Sequence, residues 1–139
     1  NIYQTTGRIN QYTFYNCANL QIKELNEYVK HIDQYAFYGC QNLTELTLLH
    51  TNVGLIGASS FWNCYRLTKF IMPNITSVPT LSNVNAFNNT PLKGYTSYTD
   101  GIVGYFYVPD DLVNSFKSAS NWSTLADYIK GISELPVEE

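Results

Sequence analysis

Three segments of the chain share one spacing of apolar residues, and this repeat constrains the fold more than any other feature. The frame is Phe-x-x-Cys-x-x-Leu, and an isoleucine precedes each phenylalanine by five residues. The copies lie at 14–20, 37–43 and 61–67, so the phenylalanines are 23 and then 24 residues apart. A fixed period of this length is typical of solenoids, in which each copy forms one turn and buries its apolar face by stacking on its neighbours.

The apolar frame continues beyond the leucine of the second and third copies. It reads Leu46-x-Leu48 in one and Phe70-x-Met72 in the other. Alternating inward and outward positions are the mark of a strand, and equivalent strands of successive turns predict one parallel sheet of short strands.

The first copy is less regular and allows two registers. In one register Lys23 takes the inward position that Leu46 has in the second copy. In the other register a one-residue deletion places Ile22 at that position. The sequence fits both equally well.

The fourth copy keeps Ala86-Phe87 but has Thr90 where the other copies have cysteine. About 11 residues are inserted after Leu92, as judged from the matching step in the third copy. We expect them to form a surface loop at about 93–104, or a disordered connector. The strand pattern then resumes at Tyr105.

The segment 110–133 changes character and predicts a helical cap. Asp110 or Asp111 can accept hydrogen bonds at the start of a first short helix. A second helix is predicted from about Asn121 to Gly131, followed by an acidic tail at 134–139. Such a lid would cover the apolar face and open backbone edge of the last turn. We therefore expect one structural domain, with the solenoid at 1–109 and the cap after it.

The pattern Ile-x-x-x-Ala-Phe-x-x-Cys-x-x-Leu-x-x-Leu-x-Leu, complete at 32–48, resembles the BspA-like leucine-rich repeats of bacterial surface proteins. The segments 86–92 and 107–109, with Asn121-Trp122, resemble the C-terminal end of such arrays. The chain departs from the pattern where Thr13 and Ser60 replace the alanine. The resemblance implies an α/β fold, namely a right-handed leucine-rich-repeat solenoid of about four turns. It also implies a cell-surface or secreted location and a role in adhesion or in binding host proteins.

Composition argues against two classes of partner. Charged residues make up 14% of the 139 residues and the net charge is −3, so no basic field attracts nucleic acid. No apolar run approaches the roughly 18 to 20 residues that cross a bilayer, so membrane insertion is not expected. We also expect the open edge of the first turn to allow self-association.

Catalytic and metal-binding motifs are not recognisable in the sequence. His31 and His50 lie on different turns and outside any known metal motif. The three cysteines share one repeat position, which favours buried free thiols, although the roughly 4.8 Å between turns would permit a disulfide. We therefore expect no enzyme, no cofactor and no metal.

Two surfaces are candidates for binding. Aromatic residues make up 15% of the chain, and those directly after the core phenylalanine form a stripe of Tyr15, Tyr38 and Trp62. The other candidate is the outward face of the sheet, as two columns of side chains: Glu45, Lys69 and Tyr105, then Thr47, Ile71 and Tyr107.

These surfaces support three hypotheses of function. The first is a non-enzymatic module that binds an extracellular or host protein through the sheet face and the aromatic stripe. The second is a structural spacer that displays neighbouring domains. The third is carbohydrate binding by the aromatic stripe, for which a glycan would be the partner.

Overall fold

The computed structural model describes residues 7–137 and shows two parallel sheets joined by tight turns. The strands in chain order are β1 (Arg8–Ile9), β2 (Glu24–Leu25), β3 (His31–Ile32), β4 (Glu45–Leu48), β5 (Leu55–Ile56), β6 (Lys69–Ile71), β7 (Thr80–Leu81), β8 (Tyr105–Val108) and β9 (Ile129–Gly131). One α-helix, α1, spans Val113–Ser118. The 3-10 helices are Val84–Phe87, Pro91–Lys93, Asp110–Leu112, Trp122–Tyr128 and Ile132–Glu134. The predicted α/β solenoid is confirmed.

The return side of each turn forms a sheet of its own, which the sequence pattern did not predict. The order β2-β4-β6-β8-β9 gives the expected sheet, and the order β1-β3-β5-β7 gives a second one. The strands of the second sheet are only two residues long, so each offers a single inward side chain, such as Ile32 or Ile56. Two ladders therefore hold every turn to the next one.

The first turn combines both registers that its sequence allowed. Its backbone follows the register without a deletion, since Leu25 pairs with Leu48 and the Thr47 N–H donates to the Lys23 carbonyl at 2.9 Å. The Lys23 side chain is nevertheless exposed, and Ile22 packs against the core. A local change of side-chain direction thus keeps the charge in water while the ladder continues.

Columns of identical side chains fill the interior between the sheets. The rings of Phe14, Phe37, Phe61 and Phe87 stack one above another with centroids 5.0 to 5.2 Å apart. Beside them, the Cys64 thiol donates to the Phe37 carbonyl at 3.1 Å, in the previous turn. Cys40 and Cys64 are buried free thiols as expected, whereas Cys17 is exposed.

The C-terminal segment covers the last turn, but its second predicted helix is wrong from Ile129 onward. The chain is a 3-10 helix over Trp122–Tyr128 and then becomes β9, which pairs with β8 and extends that sheet to five strands. Phe116 and Trp122 pack at 4.9 Å between ring centroids over the end of the core. Because β9 belongs to the same sheet as the repeats, the division into solenoid, cap and tail stays a prediction.

Side chains rather than a strand close the four-stranded sheet. In this ladder the carbonyls of Gly54 and Ile56 accept hydrogen bonds from the next turn. The equivalent carbonyls of the next turn, those of Pro79 and Leu81, accept from the C-terminal segment instead. The Trp122 indole N–H donates to the Pro79 carbonyl at 2.8 Å, and the Asn121 side-chain amide donates to the Leu81 carbonyl at 2.7 Å.

Candidate interaction surface

The side chains of the predicted aromatic stripe form one column. They lie on the tight turns that precede β2, β4 and β6 in the chain. The rings of Tyr15 and Tyr38 stack with centroids 5.1 Å apart and an angle of 16° between their planes. Trp62 continues the column at 6.3 Å from Tyr38, tilted by 43°. Tyr15 is exposed, and the other two are half-buried.

A second column of rings lies beside the stripe, and the sequence analysis missed it. Tyr12 and Tyr35 stack at 5.1 Å with an angle of 7°. Tyr12 also meets Tyr15 edge-on at 5.3 Å, and Tyr35 lies 5.8 Å from Tyr38. We call the combined surface the aromatic edge; its members are Tyr12, Tyr15, Tyr35, Tyr38 and Trp62. The 23-residue spacing of Tyr12 and Tyr35 was the signal that could have revealed it.

The backbone under the second column is strained. Tyr12 and Tyr35 have φ values of 63° and 62°, in the left-handed region that bulky residues rarely adopt. A neighbouring repeat position with the same backbone is filled by the residues expected there, such as Asn16 and Gly39. Holding a non-glycine residue in such a conformation costs on the order of 1 kcal/mol. Since Tyr12 is 54% exposed, deep burial of its ring does not offset that cost.

The segments that carry the aromatic edge contain no charged side chain. Residues 9–22, 34–44 and 51–65 hold no Asp, Glu, Lys, Arg or His. Polar contacts come from amides instead, as where the Asn63 side chain donates to the Tyr38 hydroxyl at 3.4 Å. Tyr and Asn on one surface resemble the composition of antibody-combining sites, where rigid rings give contact area and amides give adaptable hydrogen bonds.

On the five-stranded sheet, the first predicted column is paired as expected. Lys69 lies opposite both Glu45 and Tyr105 in the ladder. Neighbouring charges engage this column, since Lys23 lies 3.7 Å from the Glu45 carboxylate and the Lys130 ammonium lies 3.8 Å above the centre of the Tyr105 ring. The Glu45 carboxylate and the Tyr105 ring of this column therefore already contact lysine side chains of the same chain.

The second predicted column lies outside the hydrophobic core, but two of its members are largely covered. Ile71 is 8% exposed and Tyr107 is 4% exposed, whereas Thr47 is half-buried. On one side Tyr107 is flanked by Lys130 of β9, a strand that the sequence did not predict. Burial, together with the nearby Tyr105, raises the pKa of the Tyr107 phenol.

A further cluster of rings lies where the inserted segment meets the third turn. Tyr65 and Tyr98 stack at 4.5 Å, and Tyr95 lies 5.8 Å from Tyr65. The guanidinium of Arg66 is 5.2 Å from the centre of the Tyr98 ring. Burial and the neighbouring phenols, including that of Tyr38, raise the pKa of Tyr65.

Within residues 7–137, no group of three or more His, Cys, Asp or Glu side chains is placed to hold a metal ion. Burial is the main cause of a lowered pKa at His31, and the nearby Arg8 adds to it. Asp110 does not cap the helix that follows it. Its carboxylate instead accepts a hydrogen bond from the Ser133 N–H at 3.0 Å, and this bond lowers the pKa of Asp110.

Comparisons with known proteins agree with the repeat architecture. A sequence profile described as "BspA type Leucine rich repeat region (6 copies)" matches residues 1–101. Comparison with curated protein sequences gave no match. Over residues 7–137, the structure contains no helix with the length and apolar character needed to cross a membrane.

Proposed function

This chain belongs to the BspA-type leucine-rich repeat family, and from that membership we propose that it is a non-enzymatic protein-binding module with a role in adhesion. The family suggests protein interaction in general. We place the module in a bacterial cell-surface or secreted protein, because members of the family are typically found there. The partner in this proposal is an extracellular or host protein.

The aromatic edge is the observation that carries this proposal. Two of its tyrosines, Tyr12 and Tyr35, lie on a strained backbone, and Tyr12 and Tyr15 remain exposed. All four tyrosines are held by stacking between turns. Rings that are already ordered lose little conformational entropy when a partner covers them, so they supply contact area at low cost. The third copy has Ser59 at this position with the same positive φ, so the turn itself does not require tyrosine.

The packing of the rings favours a protein over a glycan. Sugars bind aromatic residues by lying across a ring face. Here Tyr15 covers a face of Tyr38, and Tyr12 covers a face of Tyr35, each at 5.1 Å. Stacked rings therefore offer mainly edges and hydroxyl groups, which suit the mixed polar and apolar surface of a protein.

The sheet face is the weaker of the two candidate surfaces. Ile71 and Tyr107 are buried, and Glu45 and Tyr105 already contact lysine side chains of this chain. An ion pair on an exposed surface contributes little to binding. We therefore assign the main contact to the aromatic edge.

The test is binding of the labelled chain to arrays of purified extracellular-matrix proteins and glycans. For an array protein that binds the wild-type chain, the double variant Tyr35→Ala/Tyr38→Ala should show an affinity lower by about ten-fold or more. Glu45→Ala/Lys69→Ala should bind nearly as well as the wild type. Tyr28→Ala removes a tyrosine that is 52% exposed and outside the aromatic edge, and it serves as the matched control.

Each alternative has its own outcome in this test. Binding to glycans alone, lost with Tyr35→Ala/Tyr38→Ala, would replace the proposal with lectin-like recognition. Loss only with Glu45→Ala/Lys69→Ala would move the contact to the sheet face. No binding by the wild type on either array would leave the chain as a structural spacer.

A further inference from the structure

The cysteines of the first two turns, Cys17 and Cys40, are held opposite each other by the backbone. On one side of Cys17, the Asn16 N–H donates to the Tyr38 carbonyl of the second turn at 2.6 Å. On the other side, the Ala18 carbonyl accepts a hydrogen bond from the second turn at 3.2 Å. Backbones paired in this way lie about 4.8 Å apart, and a disulfide requires Cα atoms roughly 4.4–6.8 Å apart. The two turns therefore already have the separation that a disulfide needs.

The Cys40 sulfur atom lies beside the main chain of Cys17. The Phe14 carbonyl accepts both the Cys17 N–H and the Cys40 thiol, each at 3.1 Å. Two donors that share one oxygen atom lie side by side. The Cys17 side chain is exposed, so it can change rotamer without disturbing the core. A disulfide therefore requires a new rotamer at Cys17 and no rearrangement of the backbone.

The three thiols of the column differ in their access to solvent. Cys64 is placed against the second turn as Cys40 is against the first, since its thiol donates to the Phe37 carbonyl. However, Cys40 and Cys64 are buried and Cys17 is exposed. Thiol–disulfide exchange begins at a thiolate that the oxidant can reach, which makes Cys17 the entry point.

The second nucleophile is then one of the two buried thiols, and two observations favour Cys40. It is the one that adjoins Cys17 across the turns. The hydrogen bond with the Cys64 side chain lowers the pKa of the Cys40 thiol, whereas burial raises the pKa of the Cys64 thiol. Cys40 therefore forms a thiolate more readily than Cys64 does.

We propose that Cys17 and Cys40 are an oxidation site, at which a small-molecule disulfide is exchanged for an intramolecular disulfide between the first two turns. The Cys17 thiolate attacks one sulfur atom of the small disulfide, whose S–S bond breaks and releases a first thiolate. The Cys40 thiolate then attacks the Cys17 sulfur atom and displaces a second one. The two cysteine thiols together lose two electrons and two protons, which reduce the small disulfide to two thiols.

The bond would join the two turns that carry the tyrosines of the aromatic edge. Tyr15 and Tyr38 each lie two residues before a cysteine of the pair. A cross-link between these turns removes conformational freedom from the unfolded chain and stabilises the fold. Disulfides persist mainly in proteins outside the cytosol. Such a location belongs to the proposed function, whereas the chemistry of the two thiols does not depend on it.

The experiment treats the reduced full chain, under native conditions, with oxidised glutathione and then alkylates the remaining thiols. The intact mass should show a chain that has lost two hydrogen atoms and keeps one thiol for alkylation. Trypsin should release residues 9–23 joined to residues 31–66. The intramolecular disulfide should exceed the mixed disulfide with glutathione by about ten-fold or more, because the second thiol is held at a high effective concentration.

Single cysteine variants identify the partners of the bond. Cys64→Ala is the matched control and should form the disulfide as the wild type does. Cys40→Ala should stop at the mixed disulfide between Cys17 and glutathione, which is the trapped intermediate. Cys17→Ala should stay reduced, since its two remaining thiols are buried. Thermal unfolding should show a Tm about 5–15 °C higher for the oxidised wild type than for the reduced one.

Several results would overturn the inference. One is a bond between Cys40 and Cys64 in the wild type or in Cys17→Ala. Another is a wild-type chain that remains a mixed disulfide, or that links to a second copy through Cys17. Equal Tm values for the oxidised and reduced wild type would overturn the stabilising role. None of these measurements involves binding, so their outcome is independent of whether the proposed function holds.

Discussion

The molecule stacks aromatic rings from turn to turn in two places, once in its core and once on its surface. Phe37 and Phe61 are fully buried with centroids 5.0 Å apart and an angle of 5° between the rings. Tyr12 and Tyr35 have nearly the same geometry, at 5.1 Å and 7°, yet Tyr12 is more than half exposed. The same spacing of turns therefore stacks rings both in the core and on the surface, and the two columns differ in how far their rings are buried.

The two columns contribute differently to the stability of the fold. A buried ring contributes mainly through the apolar area that it removes from water, to which stacking adds about 0.5–1.5 kcal/mol. An exposed ring keeps only the stacking contribution. Tyr35 is half-buried, and its stacking is set against a left-handed backbone of similar cost. We therefore expect the phenylalanine column to hold the solenoid together and the tyrosine column to leave its stability almost unchanged.

The largest effect should follow from breaking the buried column. Phe37→Ala removes a ring that stacks on both Phe14 and Phe61, and should lower the free energy of unfolding by about 3–5 kcal/mol. Thermal or urea unfolding followed by circular dichroism measures this loss. An unchanged unfolding midpoint would refute the idea that the phenylalanine column carries the stability.

The next largest effect should come from the end of the buried column, where the Trp122 ring lies 6.4 Å from Phe87 and 5.3 Å from the neighbouring Phe106. Trp122→Phe keeps an apolar ring there but removes the indole N–H that donates to the Pro79 carbonyl. We expect a loss of about 1–3 kcal/mol, because a buried carbonyl is left without its donor. Urea unfolding measures the loss.

A companion variant separates hydrogen bonding from packing at the same edge. Asn121→Ala removes the donor to the Leu81 carbonyl and leaves Trp122 in place. It should cost about 1 kcal/mol. If both variants unfolded like the wild type, the closing of the four-stranded sheet by side chains would contribute nothing to stability.

Much of this architecture could be predicted from the sequence, because a repeat fixes inward positions by comparison. The register of Glu45, Lys69 and Tyr105 followed from aligning the copies, even across the insertion. The four-stranded sheet could not be predicted in the same way. A strand of two residues, such as β5, is too short to show an alternating pattern.

Two further features, β9 and the second column of tyrosines, could not be predicted from the sequence pattern alone. Leu125, Tyr128, Ile129 and Ile132 fit the spacing of a helix, but the pairing of β9 with the distant β8 overrides that local preference at Ile129. Tyr12 and Tyr35 escaped prediction since a bulky residue in the left-handed region contradicts backbone propensity. Both exceptions bear on the choice of binding surface, because β9 places Lys130 over the Tyr105 ring on the sheet face and the two tyrosines build the aromatic edge.

The buried cysteine column should make the stability of the fold depend on pH. Burial raises the pKa of the Cys64 thiol, so this thiol stays protonated in the folded chain at a pH where an unfolded thiol ionises. Stability from this group is complete below the unfolded pKa of about 8.5 and falls as the pH rises above it, by up to about 1.4 kcal/mol per pH unit. Urea unfolding between neutral and alkaline pH measures this slope.

Variants of two cysteines test whether the buried thiol causes this pH dependence of stability. Cys64→Ala should make it shallower, and Cys17→Ala, which changes an exposed thiol, should not. Equal slopes in the wild type and in Cys64→Ala would show that the buried thiol does not contribute. Because slopes are compared, the cavity created by Cys64→Ala does not affect the result.

The smallest effect on stability is expected where the exposed column is broken. Tyr35→Asn removes the stacking with Tyr12 but places in the left-handed region a residue that tolerates it, as Asn16 and Asn63 do elsewhere in the chain. The two contributions nearly cancel, so the free energy of unfolding should change by less than about 1 kcal/mol.

Tyr38→Asn is the matched control, because it removes a stacked ring without relieving a positive φ and should be the more destabilising of the two. If Tyr35→Asn lowered stability as much as Phe37→Ala, the exposed column would be part of the structural core. A nearly neutral Tyr35→Asn that still weakened binding would instead show that the chain keeps tyrosine on a strained backbone for its surface.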